Sequence, residues 1–301
     1  MKQRKTLHKN NKHNKDYDFE KLCKKHPALN EYTFVNSHKT TTIDFANPKA
    51  VKALNTALLL THYPIQFWKF PDENLCPPIP GRVDYIHYLA ELLASSKLKN
   101  KIQIMDIGTG ASCIYPILGN AVYKWRFVAT DIDHYAIKSA QNIIDKNKLK
   151  KEISLRHQKD KMQVFSGIVE KEDKFHASIC NPPFFASQEE AKKANDSKQK
   201  GLGIDGSVIR NFSGNHNELW YSGGEKAFLH NYLYQSSLYK TQFFWFTTLV
   251  SKKDNIKGMY KSLKKLKATN IKTIEMHQGN KISRIVVWTF LNETEQKEWQ
   301  K

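Results

Sequence analysis

Cysteine is scarce in this sequence and does not occur in a pattern that binds zinc or builds a disulfide framework. Its 301 residues include only four cysteines, none of them in a CxxC pair: Cys23, Cys76, Cys113 and Cys180. We therefore expect reduced thiols, no metal site and a cytoplasmic location. Apolar runs are short as well. None approaches the roughly 18 residues of a membrane span, and the N-terminus lacks the apolar region of a signal peptide.

Acidic residues are also few. The sequence has 29 Asp and Glu against 48 Lys and Arg, which gives a formal net charge of +19. A balance of this sign favours a polyanionic partner such as nucleic acid. In residues 1–15 acidic residues are missing altogether. This segment is predicted to be a disordered basic arm suited to phosphate backbones, with a solubilising tail as the alternative.

Residues 16–75 are predicted to form a mainly helical N-terminal module. Within it, Asn47 followed by Pro48 predicts the start of a helix, since Asn is a good N-cap and Pro is favoured at the first helical position. A proline-rich connection follows at 75–82. We place the boundary of the main domain, 76–301, at this connection.

From about residue 101 the pattern alternates between strands and helices, which is typical of a parallel sheet covered by helices. The last two strands are close enough in sequence to form a hairpin. We therefore predict a Rossmann-like α/β fold whose seven-stranded, mostly parallel sheet ends in an antiparallel hairpin. The predicted strands are 102–107, 126–130, 153–158, 175–180, 242–250, 271–277 and 284–291.

A rigid turn follows the fourth of these strands. Asn181, Pro182, Pro183 and Phe184 come directly after it, and two prolines prevent both helix and further strand pairing. The Asn181 side-chain oxygen and the Pro182 carbonyl can each accept a proton of a planar amine such as that of adenine. Phe184 offers a face for base stacking. The alternative is a surface turn without a catalytic role.

Two further features fall at the same predicted sheet edge. Asp106, Gly108 and Gly110 form a DxGxG turn after the first strand, and Asp131 follows the second. Such a turn lets a nucleotide-like ligand approach the backbone, and such an acid takes ribose hydroxyls. The third glycine of a dinucleotide site is absent, since Cys113 stands there. This favours S-adenosylmethionine over a nicotinamide or flavin.

With these features, the sequence resembles the RlmF (YbiN) family of bacterial methyltransferases and, more distantly, eukaryotic METTL-type RNA adenine methyltransferases with an NPPF motif. The resemblance rests on MDIGTGASCIYPILG (105–119), CNPPFF (180–185), IDFANPKAVKALN (43–55), LCPPIPGRVDYIHYLAELL (75–93), NELWYSGGE (217–225), TTLVSK (247–252) and QGNKISRIVVWTF (278–290). It covers nearly the whole chain. It implies a class I, S-adenosylmethionine-dependent enzyme that methylates the 6-amino group of one adenine in 23S ribosomal RNA.

The resemblance also implies roles for individual residues. Asn181, Pro182, Pro183 and Phe184 would form the catalytic tetrapeptide. Arg82 would pair with the cofactor's carboxylate, and Gln158 and Asp160 would approach its adenine ring. Asp131 stands where we expect a glutamate in the family. The remaining cofactor contacts would come from Asp106, Gly108, Gly110 and Asn181.

A basic, glycine-containing loop at 186–216 is predicted to receive the target base, or else to be only a surface loop. Its partner would be 23S ribosomal RNA or a large-subunit assembly intermediate, bound by a monomer. Two other functions remain open. One is methylation of a protein glutamine amide, whose nitrogen is also planar. The other is a non-catalytic RNA-binding assembly factor.

Overall fold

The N-terminal module combines two helices with a small hairpin. The structure, a computed structural model, describes residues 6–98, 101–187, 189–190, 220–278 and 281–299. Helix α1 (Phe19–Lys25) and helix α2 (Pro48–His62) pack around buried leucines. The predicted cap is confirmed, because the Asn47 side chain accepts hydrogen bonds from the amides of Lys49 and Ala50. Between the helices, β1 (Thr33–Val35) pairs with β2 (Thr41–Ile43), a hairpin that the sequence reading missed.

The basic arm predicted over residues 1–15 is not disordered in its described part. Residues 6–15 pack against the helix that follows the proline-rich connection, α3 (Ile79–Ser95). There the buried carboxylate of Asp84 accepts hydrogen bonds from the His8 amide and the Asn11 side-chain nitrogen, each at 2.8 Å. The acidic partner of this segment lies 76 residues away in the sequence.

The main domain alternates strands and helices as predicted. Its strands are β3 (Gln103–Ile107), β4 (Arg126–Asp131), β5 (Ile153–His157), β6 (Phe175–Cys180), β7 (Phe243–Val250), β8 (Asn270–Gln278) and β9 (Lys281–Thr289). Its helices after α3 are α4 (Ile114–Tyr123), α5 (His134–Lys146), α6 (Gly224–Ser236), α7 (Asp254–Lys265) and α8 (Glu293–Trp299). Helix α8 had not been predicted.

These strands form one seven-stranded sheet in the order β5-β4-β3-β6-β7-β9-β8. Strands β3 to β7 are parallel to one another, and β9 is antiparallel to both β7 and β8. The predicted fold class is therefore confirmed. The chain order reverses between β3 and β6, and such a switch point opens a crevice at the carboxyl ends of the strands.

Successive residues of the central strands pack on opposite faces of the sheet. Ile104 belongs to a core formed with α3, α4 and α5, whereas its neighbour Met105 belongs to a core formed with α6 and α7. This arrangement follows from the period of two in a strand. The first core also contains Tyr63, Trp68 and Phe70, so the main domain's core begins before the predicted boundary at residue 75.

Candidate active site

The turn after β3 is fastened to the next strand. The amides of Gly108 and Thr109 both donate to the carbonyl of Thr130, each at 2.9 Å. Gly108 and Gly110 have φ of +73° and +64°, a conformation that favours glycine. A methyl group on Gly108 would meet no atom within 4 Å. The turn is therefore rigid, and the space above it is open to a ligand.

Asp131, at the end of β4, closes the same turn from the other side. One of its carboxylate oxygens accepts the Gly110 amide at 2.8 Å, and the other accepts the Asp133 amide at 2.9 Å. Burial raises the pKa of Asp131, while these backbone hydrogen bonds lower it. Each carboxylate oxygen can accept further bonds, so a hydroxyl of a ligand can still be bound.

Asp106 is fully buried at the base of this turn. Neither of its carboxylate oxygens makes a hydrogen bond of good geometry within the part of the chain that the structure describes. Burial raises the pKa of this carboxyl to about 7, although the Thr109 hydroxyl and the Arg82 guanidinium lower it. A buried carboxyl of this kind is costly unless a partner satisfies it. A ligand with a donor group would be such a partner.

Arg82 approaches the turn from the first part of α3. Its Nη1 donates to the hydroxyl of Tyr115 at 2.8 Å, and the guanidinium lies 5.5 Å from the centre of that ring. Its Nε is buried and has no hydrogen-bond partner among the residues described. Arg82 thus keeps a free donor, as the bidentate binding of a ligand carboxylate requires.

The Asn-Pro-Pro turn stands at the end of β6, next to β3 in the sheet. The Asn181 side-chain oxygen is buried and has no hydrogen-bond partner in the described ranges. Pro182 is buried behind it, and Phe184 is half-buried. An unsatisfied buried acceptor costs free energy. The turn therefore holds an acceptor that a donor group of a ligand could satisfy.

One cavity joins these features. It spans about 1190 Å³ of space between atoms, a volume that includes open solvent at its mouth. Its wall is built from the strand ends, the first part of α3 and α4, and the face of α6. The residues that line it include Leu75, Pro77, Arg82, Gly108, Thr109, Gly110, Tyr115, Asp131, Ile132, Asp133, Gln158, Lys161, Gln163, Asn181, Pro183, Trp220, Tyr221, Phe228 and Asn231.

The structure thus brings together most of the predicted site but not all of it. Asp106, Pro182 and Phe184 lie behind or beside the wall rather than in it. Asp160 is exposed. Its amide donates to the Gln158 side chain, and its carboxylate accepts the Met162 amide, so it shapes the turn that carries Gln158. The basic residues of the predicted loop at 186–216 lie outside the described residues.

Helical residues of the wall were missed by the sequence reading. Asn231 of α6 donates to the Met162 carbonyl at 2.8 Å and to the Tyr221 hydroxyl at 3.3 Å. It therefore fastens two loops of the cavity wall. Tyr115 of α4 was also missed. Tyr115 falls within the quoted stretch 105–119, but the sequence does not show that it or Asn231 reaches the cavity, because which face a helix turns inward depends on distant packing.

Two classes of feature are missing from the described ranges. None of the helices there is long and apolar enough to cross a membrane. No group of three or more His, Cys, Asp or Glu side chains in those same ranges could hold a metal ion.

Comparison with known proteins places the chain among RNA-modifying enzymes. The model of a family described as RNA methyltransferase matches residues 1–292. Ribosomal RNA large subunit methyltransferase F of Flavobacterium johnsoniae is 49% identical to the chain, covering 99% of it and 98% of the relative. The protein of the same name from Aeromonas salmonicida is 46% identical over 97% of the chain and 94% of its own length.

Solved structures of human METTL16 domains are similar to this chain over nearly its whole length. The catalytic domain of human METTL16 in complex with hairpin 1 of the MAT2A 3′UTR superposes with a TM-score of 0.83 and 28% identity, covering 96% of the chain and 97% of that domain. The N-terminal domain of human METTL16 in complex with SAH superposes with a TM-score of 0.77 and 25% identity, covering 96% of the chain and 100% of that domain.

Proposed function

The chain belongs to this RNA methyltransferase family, and on that premise we propose that it transfers a methyl group from S-adenosylmethionine to the 6-amino group of a specific adenine in 23S ribosomal RNA. The names of the curated relatives support the ribosomal substrate. Support for the cofactor comes from the METTL16 structure with SAH, and support for RNA recognition from the one with an RNA hairpin.

The unsatisfied polar groups of the cavity suit the cofactor. Arg82 would bind its carboxylate and Asp131 its ribose hydroxyls, with Gly108 and Gly110 allowing close approach to the backbone. Asp106, buried beneath the turn, would support the site from behind the wall. Gln158 would face its adenine ring, and Asp160 would hold Gln158 in place. When bound, the cofactor supplies an electrophilic methyl group on a sulfonium.

The Asn181 turn would bind the reacting amine. The exocyclic nitrogen of adenine is a poor nucleophile, because its lone pair is delocalised into the ring. The Asn181 carboxamide oxygen and the Pro182 carbonyl each accept one of its two protons, which orients the amine for attack. The target base must first leave its stack, and Phe184 then gives it an aromatic face, with Trp220 and Tyr221 as further rings nearby.

The chain does not need a strong base or a covalent nucleophile for this reaction. Once methylated, the amine nitrogen becomes acidic and releases its extra proton to water. The nearby thiols are not nucleophiles, since burial raises the pKa of both Cys113 and Cys180. Positioning is the main contribution of the protein, because alignment of the reacting atoms removes an entropic cost.

One observation carries this proposal: Asn181, whose side-chain oxygen has no hydrogen-bond partner among the described residues, lines the same cavity as Arg82 and Asp131. An amine acceptor and a nucleoside site thus share one space. We further propose that the N-terminal module contributes to RNA binding, that the enzyme acts as a cytoplasmic monomer, and that the substrate is 23S RNA or a large-subunit assembly intermediate.

The test is to incubate the protein with radiolabelled S-adenosylmethionine and unmodified large-subunit RNA, alongside an Asn181→Ala variant. Label recovered as N6-methyladenosine with the native protein only is the expected result. Label in added protein, and none in RNA, would indicate glutamine methylation instead. Cofactor binding without any transfer, on free RNA or on assembly intermediates, would indicate a non-catalytic assembly factor.

A further inference from the structure

Helix α7 presents a row of lysines to solvent. Lys253, Lys257, Lys261 and Lys264 follow one another at intervals of four, four and three residues, so they share one face of the helix. All four are exposed, whereas Met259 and Leu263 on the opposite face are buried in the core. We call these four residues the lysine stripe. Lys252, Lys265 and Lys267 lie beside it and are also exposed.

No internal interaction accounts for the lysine stripe. Like charges at this spacing destabilise a helix, and none of the four lysines pairs with a carboxylate within the described part of the chain. The nearby Glu225 is buried and engaged elsewhere. Its carboxylate accepts hydrogen bonds from the amides of Ser251 and Lys252 and from the Asn255 side chain.

A glycine within the same helix is a second indication of a binding partner. Gly258 lies between Lys257 and Lys261 and is exposed, and a methyl group added there would meet no atom within 4 Å. Glycine in a helix interior is unfavourable, and here no packing requires it. A glycine at this position would, however, allow a binding partner to approach the helix backbone closely.

The lysine stripe begins near the cavity. Strand β7 is parallel to β6, so α7 starts at the sheet edge that carries Asn181. Glu225 also fastens the start of α7 to the start of α6, which follows the cavity residues Trp220 and Tyr221. The 12 residues of α7 extend about 18 Å away from this edge, which is enough for several consecutive phosphates.

We propose that the lysine stripe binds the phosphate backbone of the RNA substrate beyond the target nucleotide, as a docking surface separate from the cavity. The proposal rests on the proposed function for the identity of the RNA. Nucleic acid is favoured over an acidic protein because the stripe face carries no exposed apolar or aromatic side chain, and protein interfaces are enriched in such residues. The interaction that the stripe can offer is therefore the attraction between its lysines and RNA phosphates.

The experiment compares two triple variants with the same change in charge. Lys257→Gln, Lys261→Gln and Lys264→Gln remove most of the stripe. The control variant carries Lys146→Gln, Lys151→Gln and Lys171→Gln, three exposed lysines at the opposite edge of the sheet. Binding of a large-subunit RNA fragment is measured without cofactor over a range of salt concentrations, so that the result does not depend on methyl transfer.

For the stripe variant we expect binding to weaken at least tenfold at 100 mM salt. The slope of log affinity against log salt should become shallower by about 2, since each lost phosphate contact removes roughly 0.7–0.9. Its KM for RNA should rise while its kcat at saturating RNA is retained. Gly258→Ala should raise the melting temperature and weaken RNA binding at the same time.

Equal losses in the two triple variants would overturn the proposal, because bulk charge alone would then explain them. Unchanged RNA binding in the stripe variant, with loss of polyglutamate binding, would identify an acidic protein as the partner instead. If RNA were bound through the stripe but never methylated, the proposed reaction would fail and the docking surface would stand.

Discussion

Ser178 and Thr247 connect β6 and β7 beyond the last main-chain pair of these strands. The paired residues are Phe175 with Phe243 and Ala177 with Trp245. Two residues further along β7, the Thr247 amide donates to the Ser178 hydroxyl at 3.2 Å, and the Thr247 hydroxyl donates to the Ser178 carbonyl at 2.6 Å. Side chains thus replace the backbone ladder three residues before Asn181.

Two tyrosines extend this contact to the helices. The hydroxyl of Tyr85 on α3 lies 2.7 Å from that of Thr247, and the hydroxyl of Tyr232 on α6 lies 2.6 Å from that of Ser178. All four side chains are fully buried. The network therefore links the helix of Arg82, the strand that leads to Asn181 and the helix that lines the cavity.

Thr247→Val should weaken this network without changing the shape of the side chain. It removes the donor to Ser178 and leaves the Tyr85 hydroxyl without its partner, a loss of about 1–3 kcal/mol in the free energy of unfolding. We expect chemical denaturation to show this loss, and methylation to slow as the Asn181 turn loosens. Thr42→Val in the N-terminal hairpin is the control, since the Thr42 hydroxyl bonds locally to the Ile43 carbonyl. An equal effect of both variants would contradict the assignment.

Asn181→Ala should abolish most of the activity and reduce cofactor binding far less, because Arg82 and Asp131 remain. Loss of one preorganised hydrogen-bonding group at a reacting centre costs on the order of 100-fold or more in kcat. Affinity for S-adenosylmethionine, measured by calorimetry, should change little. Asn142→Ala on the exposed side of α5 provides the control. Activity near the native level in Asn181→Ala would show that the turn does not orient the amine.

Asp106 should make stability depend on pH. Because its pKa rises from 3.8 to about 7 on folding, the folded protein holds this proton more tightly than the unfolded chain does. Below pH 4 the neutral carboxyl does not oppose folding. As the pH rises to about 7, the free energy of unfolding falls by at most about 4 kcal/mol because of this group.

Asp106→Asn removes that titration. In denaturation experiments from pH 4 to 8, the native protein should lose stability relative to Asp106→Asn up to about pH 7, and the difference should then level off. A constant difference across the range would mean that the carboxyl does not change its protonation on folding in this way.

Asn11→Ala should release the N-terminal segment from α3. The Asn11 side chain donates to the Pro80 carbonyl at 2.9 Å and to Asp84 at 2.8 Å, and all three groups are buried. Without these bonds, trypsin should cleave after Lys12 more rapidly than in the native protein. Asn30→Ala, which removes one local bond on an exposed residue, should leave the rate unchanged. Equal cleavage of the native protein and Asn11→Ala would show that the segment is held by other contacts.

The parts of the fold that the sequence predicted well depend on local signals. Strand β6 has the predicted limits, because an apolar run is stopped there by two prolines. The hairpin β1–β2 was missed because Phe34 and Val35 face solvent, so its strands lack an alternating pattern. The N-terminal segment was read as disordered because its acidic partner is distant in sequence.

The residues of the candidate site also fall into a group that local signals predict and a group that depends on packing. Residues at or just after the ends of parallel strands, such as Gly108, Asp131 and Asn181, could be placed together because those strands end at one edge of the sheet. Tyr115 and Asn231 reach the cavity from helices, and their direction depends on how each helix packs. The Asp160 side chain turns back on its own loop, a detail of backbone geometry that no motif encodes.

The anchoring of the N-terminal segment also sets an order of events during synthesis. Residues 6–15 leave the ribosome well before α3, because Asp84 follows His8 by 76 residues. At about 5–20 residues per second, this delay is roughly 4–15 s. A basic stretch thus waits without its acidic partner while it emerges beside ribosomal RNA. The contacts of His8 and Asn11 with Asp84 can consequently form only after α3 has been synthesised.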